Sequence, residues 1–64
     1  MIELTQRQEE IVKLIANGSA NKQISAALSI SIETVKVHVA NIKERLGAVS
    51  RANIVHLYHI RGEE

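Results

Sequence analysis

Along this 64-residue chain the apolar residues recur three and four positions apart, the period of a helix, and no stretch alternates as a strand would. The clearest segment runs from Ser31 to Gly47. Val35, Val39, Ile42 and Leu46 fall within one narrow arc at about 100° per residue, so one face packs inward. Ser31 is a strong N-cap type, and Gly47 can take the left-handed conformation that ends a helix. Upstream, Asn21 to Leu28 predicts a shorter helix, and only Ser29, Ile30 and Ser31 separate the two. Thr5 followed by Gln8 has capping-box spacing, and Ile11, Val12, Leu14 and Ile15 give a first helix that Gly18 ends. Ala20 is a poor cap, so Ser19 or Asn21 is expected to start the second helix. A fourth helix is expected from Ser50, with Ile54, Val55, Leu57, Tyr58 and Ile60 apolar and residues 61–64 a frayed tail. The expectation is an all-α, compact four-helix domain over 1–64, with helices at about 6–17, 21–28, 32–46 and 50–60.

Two helices joined by a three-residue turn, the second longer and carrying basic and polar residues outward, make a helix-turn-helix. In its DNA-binding form the second of these helices enters the major groove, and its N-terminal part meets base edges. With the apolar arc turned inward, Glu33, Val37, Ala40, Asn41 and Glu44 lie opposite. Lys36 and Lys43 fall on one flank, and Thr34, His38 and Arg45 on the other. The expected base contacts are therefore Glu33, Lys36, Val37, Ala40 and Asn41. Lysine can donate to guanine, glutamate can accept from cytosine, asparagine can pair with adenine, and valine or alanine can touch a thymine methyl. Phosphate contacts are expected from Asn21, Lys22, Ser31 and Thr34, near helix N-termini whose free N–H groups favour anions, and from Lys43 on the flank.

Charge supports this only through its distribution. The formal net charge is +1. Residues 1–33 set Arg7, Lys13 and Lys22 against Glu3, Glu9, Glu10 and Glu33. Residues 34–62 set Lys36, Lys43, Arg45, Arg51 and Arg61 against Glu44 alone. Positive charge thus gathers on and after the expected groove-reading helix, although ordinary solvated helix surface would look similar.

The motifs Leu4-Thr-Gln-Arg7, Gly18 with Asn21-Lys-Gln-Ile24, Ser31-Ile-Glu-Thr-Val-Lys-Val-His38, Leu46-Gly47 and Ser50-Arg51 appear in order across nearly the whole chain. In these the sequence resembles the LuxR/NarL/FixJ-type (GerE-like) helix-turn-helix domain of bacterial transcription regulators. The resemblance implies a four-helix bundle whose third helix reads the major groove and whose fourth often mediates dimerisation. It also implies a place at the C-terminus of a longer regulator, commonly a response regulator, though stand-alone versions occur. Carried over, Lys36, Val37 and Ala40 match base-contacting positions, and Thr34, Asn21 and Lys22 match positions near the backbone. Three departures stand out: Gln8 where glutamate is frequent, Ala20 for a frequent serine, and Ala40 where relatives carry longer side chains. Ala40 reaches a base only through its methyl.

The expected partners are double-stranded DNA and a second copy of the chain, held weakly through Val55 and Tyr58 with Ile54 and Leu57 facing the core. RNA polymerase is a further candidate. No cofactor, metal or catalytic residue is expected. There is no aspartate or cysteine, no Gly-rich phosphate loop, and His56 and His59 lack an evident third ligand. With Tyr58 as its one aromatic residue, the chain has no stacking platform for single strands. No apolar run approaches the roughly 20 residues of a membrane span, and a cytoplasmic location is expected. The competing interpretation is a protein-interaction module that keeps the fold without binding DNA, favoured by the low net charge, Glu33 and Ala40.

Overall fold

The computed structural model describes residues 4–62, which form four helices: α1 (Gln6–Ala16), α2 (Asn21–Leu28), α3 (Ile32–Leu46) and α4 (Arg51–Gly62). Residues 1–3 and 63–64, and with them part of the expected tail, lie outside the described residues. The all-α expectation holds, and α2 and α3 have the expected bounds. α1 stops at Ala16, with Asn17 as its C-cap. α4 differs more. Ser50 is its N-cap, its Oγ accepting from Asn53 N–H at 3.0 Å, and the helix continues through Arg61.

That extension has a physical cause. Arg61 Nη2 donates to Glu9 Oε2 at 2.7 Å, tying the last turn of α4 to α1, and its guanidinium lies 5.5 Å from the Tyr58 ring centre. The hydrogen bond that Arg61 donates to Glu9 outweighs the opposing effect of burial and raises the Arg61 pKa above its ordinary value. Arg61 is an anchor, not the start of a frayed tail.

The core takes residues from all four helices. Ile11, Val12 and Ile15 of α1, Ile24 of α2, Val35 and Ile42 of α3, and Ile54 of α4 are buried, none exposed beyond 4 %. Val39 and Leu46 complete the expected inner seam of α3 as half-buried side chains packed on that cluster. α3 packs against α1, α2 and α4, and so occupies the middle of the arrangement. Each fully buried isoleucine or valine contributes about 1.5–3 kcal/mol from its removal from water.

Helix ends follow local chemistry. Thr5 and Gln8 form the expected capping box: Thr5 Oγ1 accepts from Gln8 N–H at 3.1 Å, and Gln8 Oε1 accepts from Thr5 N–H at 2.9 Å. Gln8 is thereby satisfied although buried. The expectation for α2 needs correction. Ala20 is itself the N-cap position, and Gln23 reaches back so that its Oε1 accepts from Ala20 N–H at 2.7 Å. This half of a capping box needs no side chain at the cap, so alanine is tolerated. At the end of α3, Gly47 has φ 68° and lets Ala48 N–H reach Lys43 O at 2.8 Å.

The turn between α2 and α3 uses no glycine. Ser29 carries φ 56°, the only described non-glycine residue in the left-handed region. Ser25 holds the turn twice: its carbonyl accepts from Ile30 N–H at 3.1 Å, and its hydroxyl donates to Ile30 O. Replacing Ser29 by glycine removes the Cβ penalty at that conformation. Ser29→Gly is expected to stabilise the domain by about 0.5–1 kcal/mol, a melting temperature several degrees higher. A lowered melting temperature would show that Ser29 contributes more than its backbone shape.

Candidate nucleic-acid interface

Because the inner seam of α3 is fixed by packing, the opposite side of that helix is fixed as well. Glu33, Lys36, Val37, Ala40 and Asn41, the expected base-contacting residues, are all exposed, Val37 at 59 %. They do not form one uniform row. Glu33, Lys36, Val37 and Ala40 share the outer face, and Lys36 Nζ lies 3.5 Å from Glu33 Oε1 one turn earlier. Asn41 borders a shallow depression with Thr5, Gln8, Glu44 and Arg45, on the side turned toward the start of α1. Both partners of the Glu33–Lys36 pair are well exposed, so the contact is easily exchanged for another. Ile32, 40 % exposed, adds apolar surface at the start of the same helix.

The residues expected to meet phosphates are placed by helix ends. Ser31 is the N-cap of α3: its Oγ accepts from Thr34 N–H at 3.0 Å and lies 2.8 Å from Thr34 Oγ1. One hydroxyl proton closes that hydroxyl pair, which leaves the other for an outside acceptor. Lys22 is exposed on the first turn of α2. Lys43 is half-buried on the flank of α3. Asn21 is half-buried, and its Oδ1 accepts from Arg51 Nη1 at 2.6 Å.

This last contact changes the charge argument. Of the five basic residues counted after position 33, Arg51 is turned onto the start of α2 and Arg61 onto Glu9. Neither stands as a free phosphate-binding charge, so the positive character of the outer face rests chiefly on Lys36, Lys43 and Lys22. Sequence reasoning missed both anchors, counting them by position alone. Only the pairing of Ser50 and Arg51 at the head of α4 marked Arg51 as part of a motif.

On α4 Ile54 is buried, as expected, and the remaining apolar residues are less covered. Val55 and Tyr58, the expected partner-facing pair, are half-buried and pack on the core beside Ile54. Tyr58 lies one turn after Ile54 and shares its inward direction. Leu57, expected inward, is half-buried about 60° around the helix from Ile54, and Ile60 is 43 % exposed. Among the described residues Ile60 is the one large apolar side chain of α4 that is exposed. His56 and His59 are exposed, and the described residues contain no group of three or more potential metal ligands.

Comparison with known proteins agrees with this architecture. The profile of the family described as bacterial regulatory proteins, luxR family, matches residues 3–58. The chain belongs to this family. It is 41 % identical to YhcZ of Bacillus subtilis, an uncharacterized transcriptional regulatory protein, over 95 % of the chain and 30 % of that relative. It is 46 % identical to the response regulator protein VraR of Staphylococcus aureus and of Staphylococcus epidermidis, over 81 % of the chain and 25 % of each. This luxR-family chain thus spans less than a third of the length of these relatives. The family is one of regulatory proteins, not of enzymes. No described helix is long and apolar enough to cross a membrane.

The two sides of α3 should respond oppositely to truncation. Ile42→Ala removes a fully buried side chain and is expected to cost about 2–5 kcal/mol, whereas Val37→Ala should stay within about 0.5 kcal/mol. Thermal unfolding of both variants checks this, and a comparable loss in each would mean that α3 is rotated from the orientation described.

Proposed function

We propose that residues 1–64 form the sequence-specific, double-stranded DNA-binding unit of a longer bacterial transcription regulator, with α3 in the major groove. The observation that carries this proposal is the division of α3. Its inner seam is packed against the three other helices, and a continuous outer face of Glu33, Lys36, Val37 and Ala40 has nothing from the described chain across it. On that face Lys36 donates to guanine O6 and N7, Val37 and Ala40 meet thymine methyls, and Glu33 accepts from cytosine N4. Asn41, at the edge toward α1, contacts a base where the groove wall reaches it. Thr34, Ser31, Asn21, Lys22 and Lys43 hold phosphates and set the register.

Lys36 leaves Glu33 to reach a guanine, and because the pair is well exposed this costs little. The protein works in the cytoplasm, without cofactor or catalysis, with RNA polymerase a further candidate partner. The weak positive character of the outer face, with Arg51 and Arg61 turned inward, favours a second reading, a protein-interaction module.

Titration of duplexes selected from a randomised pool, over a salt series, separates the two. A DNA-binding domain loses affinity steeply as salt rises. Lys36→Ala and Val37→Ala should each lower specific affinity by about 1–3 kcal/mol with helicity unchanged. Lys43→Ala should weaken binding to all sequences alike and reduce the salt slope by about one. Salt-independent or absent binding would leave the interaction module as the better account.

A two-fold contact through α4 completes the proposal. The exposed parts of Val55 and Tyr58 form a face too small for the roughly 1,000 Å² of a stable interface, so the dimer assembles on DNA. It places two α3 helices one turn of duplex apart, about 34–36 Å, and requires an inverted repeat. Val55→Glu is expected to abolish cooperative binding to an inverted repeat while the monomer stays folded and still occupies a half-site. Cooperativity that survives the substitution would move the interface elsewhere.

A further inference from the structure

A single side chain of α4 holds the start of α2. Arg51 Nη1 donates to Asn21 Oδ1 and Nη2 donates to Ser19 O, each at 2.6 Å. The contact joins residues thirty or more positions apart in sequence. It falls where α2 is locally weakest, since Ala20 supplies no side-chain cap.

The chemistry of this grip orients an amide. A guanidinium offers N–H donors and no acceptor, so the atom of Asn21 facing it is the carbonyl oxygen. The Asn21 NH2 group is therefore turned away from Arg51, and no acceptor for it occurs among the described residues. Without such a partner the terminal torsion of an asparagine is broad and two-fold. The amide would then present its oxygen to a phosphate about as readily as its NH2, and ordering it would be a cost of binding.

We propose that Arg51 is a positioning residue for DNA binding: it fixes the Asn21 side-chain amide so that its NH2 is presented to a phosphate oxygen. Arg51 touches no DNA itself. It also ties this phosphate donor on α2 to the helix that carries the proposed two-fold contact. A change at the head of α4 thereby reaches the backbone contact of α2 through one residue. This inference rests on the DNA-binding function proposed above and extends it to a residue outside the groove-facing set.

The test is a double-mutant cycle on affinity for a short mixed-sequence duplex at fixed salt, over wild type, Arg51→Met, Asn21→Ala and the double variant, with the melting temperature of each recorded. Arg51→Met is expected to weaken binding about tenfold in the wild-type background. In the Asn21→Ala background the cost should fall to about twofold, the residue of a lost positive charge. If Arg51→Met does not fold, Arg51→Lys takes its place, keeping the charge without the two-pronged grip, and the same coupling is expected. Asn21→Asp supplies an independent arm. Its carboxylate still accepts from Arg51, so the melting temperature should not fall, but it lacks the donor and should bind the duplex at least about tenfold more weakly.

An Arg51 substitution that costs as much without the Asn21 amide as with it would overturn the proposal, showing that Arg51 acts through the fold or on DNA directly. Wild-type affinity in Asn21→Asp would overturn it too. A wild-type domain that binds no duplex would overturn this inference together with the DNA-binding function, whereas additive variants of a binding domain overturn this inference alone.

Discussion

The packing of Val35 and Ile42 against the isoleucines of α1, α2 and α4 is the constraint on which the rest of this small domain depends. A helix has one rotational setting once its buried stripe is engaged, and close-packed interiors do not permit small departures from it. With Val35 and Ile42 wholly buried and Val39 and Leu46 beside them, the outer face of α3 follows with no further choice. The same core is small. Among the described residues it rests on seven buried apolar side chains, five of them isoleucine, so a loss at any one removes a large share of the available stability.

Most of this was legible in the sequence because helical periodicity and end chemistry agree. Ser31 and Gly47 bracket a strict apolar repeat, and α3 begins and ends where they require. Thr5 and Gln8 do the same for α1 at its start. The composition of the outer face of α3 could be read for the same reason, as the complement of the buried stripe. Propensity also explains the least regular place. Ala20 is a poor cap by side chain, and the structure answers with Gln23 and Arg51, one local and one distant in sequence.

What escaped the sequence depended on long-range pairing. Arg51 with Asn21 and Arg61 with Glu9 join residues that no periodic pattern brings together, and both arginines were assigned to a charged surface by position. The phase of α4 was ambiguous for a related reason. Ile54, Val55, Leu57, Tyr58 and Ile60 cover too wide an arc for one packing face, and several inward choices were equally periodic. Ile54 is the residue of the five that is fully buried, with Tyr58 one turn on packed beside it and Arg61 linked to Glu9. Ser25 is a further example. Its hydrogen bonds to the Ile30 backbone shape the turn before α3, and a serine inside a helical octet gave no sign of it.

These features tie the architecture of a luxR-family domain to a proposed division of labour. α1 and the inner side of α3 hold the core, the outer side of α3 meets bases, the head of α2 meets a phosphate, and α4 connects that head to a second copy. The most direct test of the central claim, that the buried seam of α3 selects the surface that meets DNA, is a backbone amide NMR titration of the folded domain with duplex DNA. The account predicts that the largest shifts cluster at residues 31–43 and at the start of α2, with the exposed residues of α1 nearly unchanged. Shifts concentrated on α1 or on the Leu57 and Ile60 side of α4, with α3 quiet, would contradict it.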